Sequence, residues 1–188
     1  MEDILHTYTI QWVGPFANYA EMKEHYKLKR RHERVCSDPG LFSFYYFSGN
    51  KKWKREKEFA YFGKHGKIDS IFRRLNPRHE HYRRYHENDS LQIWIGTLAN
   101  PAHQKEDIID FIETVFINRY KDDLEDNVKK KAKPFTEAVT DSCVIVNLWY
   151  DKNEKPFKRR MSVPFDDVIV YEVGTGRILK GNLKKENL

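Results

Sequence analysis

The strongest constraint on the fold comes from three aromatic-rich runs whose β-forming residues alternate between two faces. The runs read LFSFYYFSG, EFAYFG and LQIWIGTLA, and each is followed or ended by glycine, asparagine or proline. Alternation of this kind between turn signals predicts strands. The basic stretch GNKKWKREKE lies between the first two runs, so we expect them to form a hairpin.

Helix-forming and further strand-forming stretches surround these runs. ILHTYTIQWV predicts a strand that ends at Gly14-Pro15, and FANYAEMKEHYKLKRRHERV then predicts an amphipathic helix. IDSIFRRL predicts a short helix that begins at Asp69 or Ser70, and HQKEDIIDFIETVFINRYKDDLEDN predicts a long one. CVIVNLWY, FKRRMSVPF and DVIVYEV indicate three C-terminal strands. The predicted class is α+β, with a small mixed three-stranded sheet flanked by helices, an N-terminal strand and helix, and a C-terminal β-rich extension.

Composition limits the environment and the partners. The chain has 188 residues, of which 39% are hydrophobic and 14% aromatic, and its net charge is +6. The apolar share is enough for a core, and the basic excess favours polyanionic partners. Cys36 and Cys143 stand far apart and form no CxxC motif, which indicates neither a disulfide framework nor a zinc site. With no signal sequence and no membrane-length apolar run, we expect a cytoplasmic protein.

The long helix contains a carboxylate where an apolar residue is expected. Ile109, Ile112, Phe116 and Ile117 form its apolar stripe, and the spacing puts Glu113 on the same face. An ionised carboxylate there is costly unless it is paired or bound to a metal. Two interpretations remain: an ion pair with Arg119 or Arg74, or a ligand for a hard divalent cation.

The predicted hairpin also carries tyrosines close to cations. Alternation puts Tyr46 on one face of its strand and Tyr45 on the other, and Tyr61 follows on the paired strand. Buried tyrosines are usually core rings with a hydrogen-bonded hydroxyl. A hydroxyl beside a cation can also transfer protons, and Lys64 and Arg74 are the candidate cations.

The order of these features resembles that of the GIY-YIG nuclease family. PGLFSFYYF and YFGKHGKIDSIFRRL look like the family's first two strands and the following helix, and DIIDFIETVFINRYKDDLEDN is similar to its glutamate-bearing helix, with Asn127 as the later asparagine. The run LQIWIGTLAN stands where the family has its third strand. The resemblance covers residues 38–128, about half of the chain.

The sequence departs from the family pattern at several positions. The first triplet reads Gly40-Leu41-Phe42, without its tyrosine, so Tyr46 is the expected substitute and Tyr45 the alternative. The second triplet reads Tyr61-Phe62-Gly63. Arg74 comes late for the family arginine, and Arg73 stays an alternative. The residue that follows this arginine in the family corresponds to one of three candidates, His79, His81 or Tyr82.

The resemblance implies metal-dependent hydrolysis of a phosphodiester in double-stranded DNA. Glu113 would hold Mg²⁺, or another divalent cation such as Mn²⁺, while Lys64 and Arg74 would neutralise charge on the phosphate. A tyrosine hydroxyl or a water-linked partner would activate the attacking water. The implied catalytic residues are Tyr46, Tyr61, Lys64, Arg74, His79 and Glu113.

Basic segments would bind the DNA backbone. Their residues are Lys29, Arg30, Arg31, Arg34, Lys51, Lys52, Lys54, Arg83 and Arg84. The expected organisation is a DNA-contacting N-terminal part (1–37), a nuclease core (38–128) and an extension packed on it (129–188). Such extensions favour a sequence-specific type II restriction enzyme, with site recognition or formation of a homodimer as their role. The first alternative is a non-catalytic nucleic-acid-binding protein on the same scaffold, and the second is a small β-rich structural or interaction protein.

Overall fold

A computed structural model describes residues 5–32, 43–50, 57–65, 82, 90–124, 127, 141–157, 163–173 and 175–181. For residues 27–32, 50 and 57–59 the description covers the backbone alone. Several predictions fall outside these ranges, among them the short helix IDSIFRRL and most of the strand FKRRMSVPF. Within the described part of the chain, no helix has the length and apolar character needed to cross a membrane.

Seven strands and two α-helices make up the described secondary structure. The elements are β1 (Leu5–Phe16), α1 (Tyr19–His32), β2 (Ser43–Asn50), β3 (Lys57–His65), β4 (Gln92–Leu98), α2 (Glu106–Arg119), β5 (Ser142–Tyr150), β6 (Val168–Glu172) and β7 (Arg177–Gly181). A short 3₁₀ turn at Pro101–His103 joins β4 to α2.

All seven strands belong to one mixed sheet, in the order β3-β2-β4-β1-β5-β6-β7. The pairs are antiparallel except for β1 with β5, which run parallel from Leu5 beside Ser142 to Val13 beside Tyr150. The predicted three-stranded sheet flanked by helices is therefore wrong. The hairpin β2–β3 and strand β4 exist, but they form one side of a larger sheet because β1 pairs with β4 along its other edge.

The local predictions hold better than the architecture. The predicted hairpin of the two aromatic runs is confirmed, and its register pairs Tyr46 with Phe62 and Phe47 with Tyr61. Strand β1 continues through Gly14-Pro15 to Phe16, with a register shift between Val13 and Phe16, so the predicted end at that dipeptide is wrong. Strand β7 has no counterpart among the predicted strands. All three predicted ranges of the chain contribute strands to the one sheet.

One face of the sheet packs against α2 and contains most of the core. Trp12, Phe62 and Phe116 are fully buried there, and the rings of Phe62 and Phe116 stack with centroids 4.7 Å apart and planes 4° apart. Fully burying one aromatic side chain contributes about 1.5–3 kcal/mol. Contacts between α2 and the edge strand β3 therefore place the helix over the hairpin side of the sheet. We call this face the α2 face.

The opposite face of the hairpin side packs against α1 and is named the α1 face. Its buried residues include Phe16, Met22 and Phe47. Helix α1 begins with reciprocal bonds: Asn18 Oδ1 accepts from the Glu21 amide at 2.9 Å, and Glu21 Oε2 accepts from the Ala17 amide at 2.6 Å. These bonds satisfy backbone donors that a helix start leaves open.

A buried polar network ties the C-terminal strands to the α2 face. Asn147 of β5 accepts from Trp12 Nε1 at 2.9 Å and donates to the Asp166 carbonyl at 2.7 Å. Tyr120 donates its hydroxyl proton to Asp166 Oδ2 at 2.9 Å and accepts from the Asp166 amide at 2.8 Å. The Trp12–Asn147 bond is buried and the bonds to Asp166 are partly buried, and together they attach the segment before β6 to the core.

Candidate active site

The sequence YFGK lies near the end of strand β3, and its Tyr61 stacks on Tyr45 of the neighbouring strand β2. The rings of Tyr45 and Tyr61 lie 5.9 Å apart on the α1 face, with planes 25° apart. A Cβ atom at Gly63 would lie 2.4 Å from Tyr45 Cζ and 2.8 Å from Tyr61 Cε1. Position 63 therefore requires glycine because the tyrosine rings occupy the space of any side chain.

Tyr46 occupies the other face. Its ring is 5% exposed and meets Phe165 edge to face, with centroids 4.9 Å apart. Burial raises the pKa of the Tyr46 hydroxyl to about 12, while its hydrogen bond with Ser48 acts in the lowering direction. The expected convergence of Tyr46 and Tyr61 is thus not formed: Tyr46 is a core residue of the α2 face, and Tyr45 is the tyrosine that contacts Tyr61.

Helix α2 presents Glu113 to the interior, as its spacing predicts. The stripe residues Ile109, Ile112 and Phe116 are fully buried, and Glu113 among them is 7% exposed. Acidic residues in the first turn and Arg119 in the last complement the helix dipole. Arg119 bonds Asp166 at 3.2 Å, so it is not the partner of Glu113. The other candidate partner, Arg74, lies outside the described residues.

Lys64 joins the end of β3 to α2. Its Nζ lies 2.8 Å from Asp110 Oδ1, and the two side chains are 26% and 52% exposed. A pair this accessible to solvent contributes at most about 1 kcal/mol to stability. The Lys64–Asp110 pair matters because it brings the Lys64 ammonium to the side of α2 that carries Glu113. Asp110 precedes Glu113 by three residues and so lies on the same side of the helix. Asp110 is not among the predicted site residues, although its spacing of three from Glu113 is visible in DIIDFIE.

Asn127 fixes the outer edge of β3. Its Oδ1 accepts from the Phe62 amide at 2.9 Å, and its Nδ2 donates to the Phe62 carbonyl at 2.6 Å. The carboxamide, 6% exposed, therefore takes the place of a neighbouring strand at this position. We call this pair of hydrogen bonds the Asn127 clamp. Since Phe62 lies between Tyr61 and Gly63, the clamp holds the backbone of YFGK in position at the edge of the sheet.

The donor set can be compared with what a divalent cation needs. Within the described ranges, no group of three or more His, Cys, Asp or Glu side chains is arranged to hold a metal. Mg²⁺ commonly binds through one or two carboxylates and completes its shell with waters and substrate phosphates. Asp110 and Glu113, one turn apart, match that smaller requirement. In residue type and spacing these two carboxylates match the cation that the resemblance implies, and Asp110 is also paired with Lys64.

The remaining predicted site residues lie mostly beyond the description. Lys29, Arg30 and Arg31 fall within helix α1, where the backbone alone is described. The following lie outside the described residues: Arg34, Lys51, Lys52, Lys54, Arg74, His79, Arg83 and Arg84. Of the three candidates after the arginine, Tyr82 is described, and its hydroxyl accepts from the Tyr19 amide at 2.9 Å on the α1 face.

Comparison with known proteins adds no relative. No protein-family model, no curated protein and no solved structure matches this chain.

Proposed function

We propose that the protein is a metal-dependent endonuclease that hydrolyses phosphodiester bonds of double-stranded DNA, with its centre where the end of β3 meets α2. One observation carries the proposal: an inward-facing carboxylate, Glu113, shares a helix side with Asp110, which holds Lys64 at 2.8 Å. Carboxylates bind divalent metal ions, and a lysine ammonium beside them can bind a phosphate. The resemblance of residues 38–128 to GIY-YIG nucleases supports the same assignment.

Each residue of the centre has a task that follows from its chemistry. Glu113 and Asp110 would hold Mg²⁺ or Mn²⁺, which when bound polarises the phosphate and stabilises the leaving oxygen. Lys64 neutralises negative charge on the scissile phosphate, and its ion pair with Asp110 restricts where the ammonium can lie. Arg74 keeps its predicted role as a second phosphate-binding cation.

The tyrosines take a different arrangement from the one first expected. Tyr61 is half-buried and packs on Tyr45 on the α1 face, whereas Lys64 contacts α2 on the other face, so the sheet separates these two tyrosines from the proposed centre. Tyr46 has a core position, and its raised pKa keeps the hydroxyl protonated at neutral pH, so it is not available as a general base. Tyr61 therefore has a packing role beside Tyr45, which Gly63 allows, and we assign the water-orienting role to no described tyrosine.

The net charge of +6 supports DNA as the partner. Basic residues that neutralise phosphates release condensed counterions, so binding weakens steeply as salt concentration rises. The proposed activity is sequence-specific, as in a type II restriction enzyme, and the basic segments near α1 and the hairpin turn would contact the backbone.

The test is cleavage of supercoiled plasmid with and without Mg²⁺. We expect discrete metal-dependent fragments from unmethylated DNA, and none from Glu113→Gln. The matched control is Glu106→Gln, the same change at an exposed position of the same helix, which should keep full activity. Lys64→Ala should retain the fold but lose cleavage by about 10²-fold or more, the cost of removing one charge-stabilising group.

Metal binding gives a readout that does not require activity. Calorimetric titration with Mn²⁺ should show one site in the wild type, a weakened site in Asp110→Asn, and loss in Glu113→Gln. Salt-sensitive DNA binding without cleavage in any metal would instead support the non-catalytic alternative. A smear without discrete fragments would contradict sequence-specific cleavage but would still support nuclease activity.

A further inference from the structure

A cation already occupies one carboxylate of the proposed metal centre. Lys64 Nζ lies 2.8 Å from Asp110 Oδ1, a distance typical of a charge-assisted hydrogen bond. Lys64 follows Phe62 by two residues in β3 and therefore lies on the same face of the sheet, where the ring of Phe62 stacks on Phe116 of α2. The Lys64 ammonium thus binds the carboxylate that the proposed function assigns to a divalent cation.

Asp110 is open to solvent, so a cation from solution can reach it. The Asp110 side chain is 52% exposed and that of Lys64 is 26% exposed. Glu113, which follows Asp110 by three residues on α2, is only 7% exposed. A hydrated metal ion can therefore contact the Asp110 carboxylate without any opening of the buried side of the helix.

The ammonium and a divalent ion would compete for the same carboxylate. Both would lie within a few ångströms of Asp110, and like charges that close repel each other. At equal distance a divalent ion attracts a carboxylate about twice as strongly as an ammonium does, because it carries twice the charge. An ion pair as accessible to solvent as Lys64–Asp110 adds little stability. Little free energy therefore opposes the release of the ammonium.

We infer that the Lys64–Asp110 pair is a charge switch, in which a divalent cation that binds Asp110 displaces the Lys64 ammonium. The inference rests on the proposed function, which assigns Asp110 to the metal ion and Lys64 to the phosphate. In the metal-free protein Asp110 holds the ammonium. Metal binding releases this ammonium, so Lys64 becomes available to a phosphate only in the metal-loaded protein.

Calorimetric titration with Mn²⁺ in the absence of DNA tests the switch, because removal of a competing cation should tighten metal binding. Lys64→Met keeps the aliphatic chain and should bind Mn²⁺ about two- to fivefold more tightly than the wild type, the range expected for an exposed ion pair. Lys105→Met removes the same charge from an exposed position at the start of the same helix. At about 0.15 M salt, which screens exposed charges, this control should leave the affinity unchanged.

Two further measurements show whether Lys64 acts through Asp110. Asp110→Asn removes the carboxylate for which the two cations compete, so adding Lys64→Met to that variant should give no further tightening. NMR of the lysine ammonium groups during titration with Mg²⁺ follows the displacement directly. The Lys64 Nζ signal should change with the same midpoint as metal binding, and the Lys105 Nζ signal should not change.

The outcomes separate the switch from the nuclease activity. Unchanged or weaker Mn²⁺ binding in Lys64→Met, or equal tightening in the Asp110→Asn background, would overturn the inference and leave the proposed endonuclease intact. Tighter binding in Lys64→Met together with no cleavage by the wild type would support the switch and refute the endonuclease. Absence of Mn²⁺ binding in both the wild type and Lys64→Met would overturn the inference together with the proposed metal centre.

Discussion

Replacing Asn127 by alanine should destabilise the protein far more than the loss of one side chain suggests. The substitution removes the two bonds, of 2.9 and 2.6 Å, that pair the Asn127 carboxamide with the Phe62 amide and carbonyl. Both Phe62 groups are then buried without partners. An unsatisfied buried backbone group costs about 1–3 kcal/mol. Two such groups give about 2–6 kcal/mol, and water entering at the edge of the sheet brings the expected loss to about 2–4 kcal/mol.

Urea unfolding followed by circular dichroism measures this loss. With a slope of about 2 kcal/mol per molar urea, the midpoint should fall by about 1–2 M. The matched control is Asn118→Ala, which removes a single bond from Asn118 Nδ2 to the Thr114 carbonyl at 3.0 Å. That bond only supplements a helical carbonyl at a half-buried position, so its loss should cost less than about 1 kcal/mol.

Asn127→Asp separates the two halves of the clamp. The carboxylate keeps an acceptor for the Phe62 amide but places an oxygen against the Phe62 carbonyl. At neutral pH we expect a loss at least as large as that in the alanine variant, with recovery as the pH falls and the buried carboxyl takes up a proton. If Asn127→Ala lost no more stability than Asn118→Ala, the reasoning that this carboxamide replaces a neighbouring strand would be refuted.

Three further predictions concern single residues. Gly63→Ala should lose about 1–3 kcal/mol through the clash with the tyrosine rings, whereas Gly181→Ala, whose nearest atom lies 4.0 Å away, should change little in the same urea assay. Tyr120→Phe should lower the free energy of unfolding by about 1–3 kcal/mol because it deletes both hydrogen bonds to Asp166. A loss no larger than that of a Tyr→Phe change at an exposed position would contradict a stabilising role of these two bonds. Burial raises the pKa of the Cys143 thiol to about 12, above its unfolded value of about 8.5. The protonated thiol therefore favours the folded state, and this contribution is lost as the pH rises from about 9 toward 12. Cys143→Ala should show a shallower fall of stability with pH over that window, and an unchanged slope would reject the assignment.

Local pattern was sufficient to predict individual elements of this fold. The alternation in LQIWIGTLA predicts a strand over 91–99, and β4 spans Gln92–Leu98. The spacing in DIIDFIETVFI predicts that Glu113 faces inward, and it is 7% exposed. Both inferences depend only on side-chain periodicity within one element, which the backbone geometry of helices and strands dictates.

The sheet itself could not be predicted in this way. Strand β1 lies between β4 and β5, so its partners come from residues far along the chain. No periodicity within a strand encodes the identity of a distant partner. The prediction that Tyr46 lies beside Tyr61 was wrong for a related reason. The strand register places Tyr45, not Tyr46, opposite Gly63. A shift of one residue along a strand moves a side chain to the other face of the sheet.

The Lys64–Asp110 pair also required tertiary information. Each residue lies on an element whose type was predicted, but their contact depends on how α2 crosses the edge of the hairpin. The amino-acid types gave the candidates Lys64, Glu113 and Asn127, and the packing added Asp110 beside them. The chemistry of the proposed centre was therefore visible in the sequence before its arrangement was.

The central position of β1 has a consequence during synthesis. Strand β1 pairs in parallel with β5, which is complete only after residues 142–150 are translated. At about 5–20 residues per second, that interval is on the order of ten seconds. Throughout it, one long edge of β1 stays open, and open strand edges are sites of aggregation. A fragment limited to residues 38–128 would lack β1 altogether and would expose the unpaired edge of β4, so the proposed nuclease segment should not be expressible on its own.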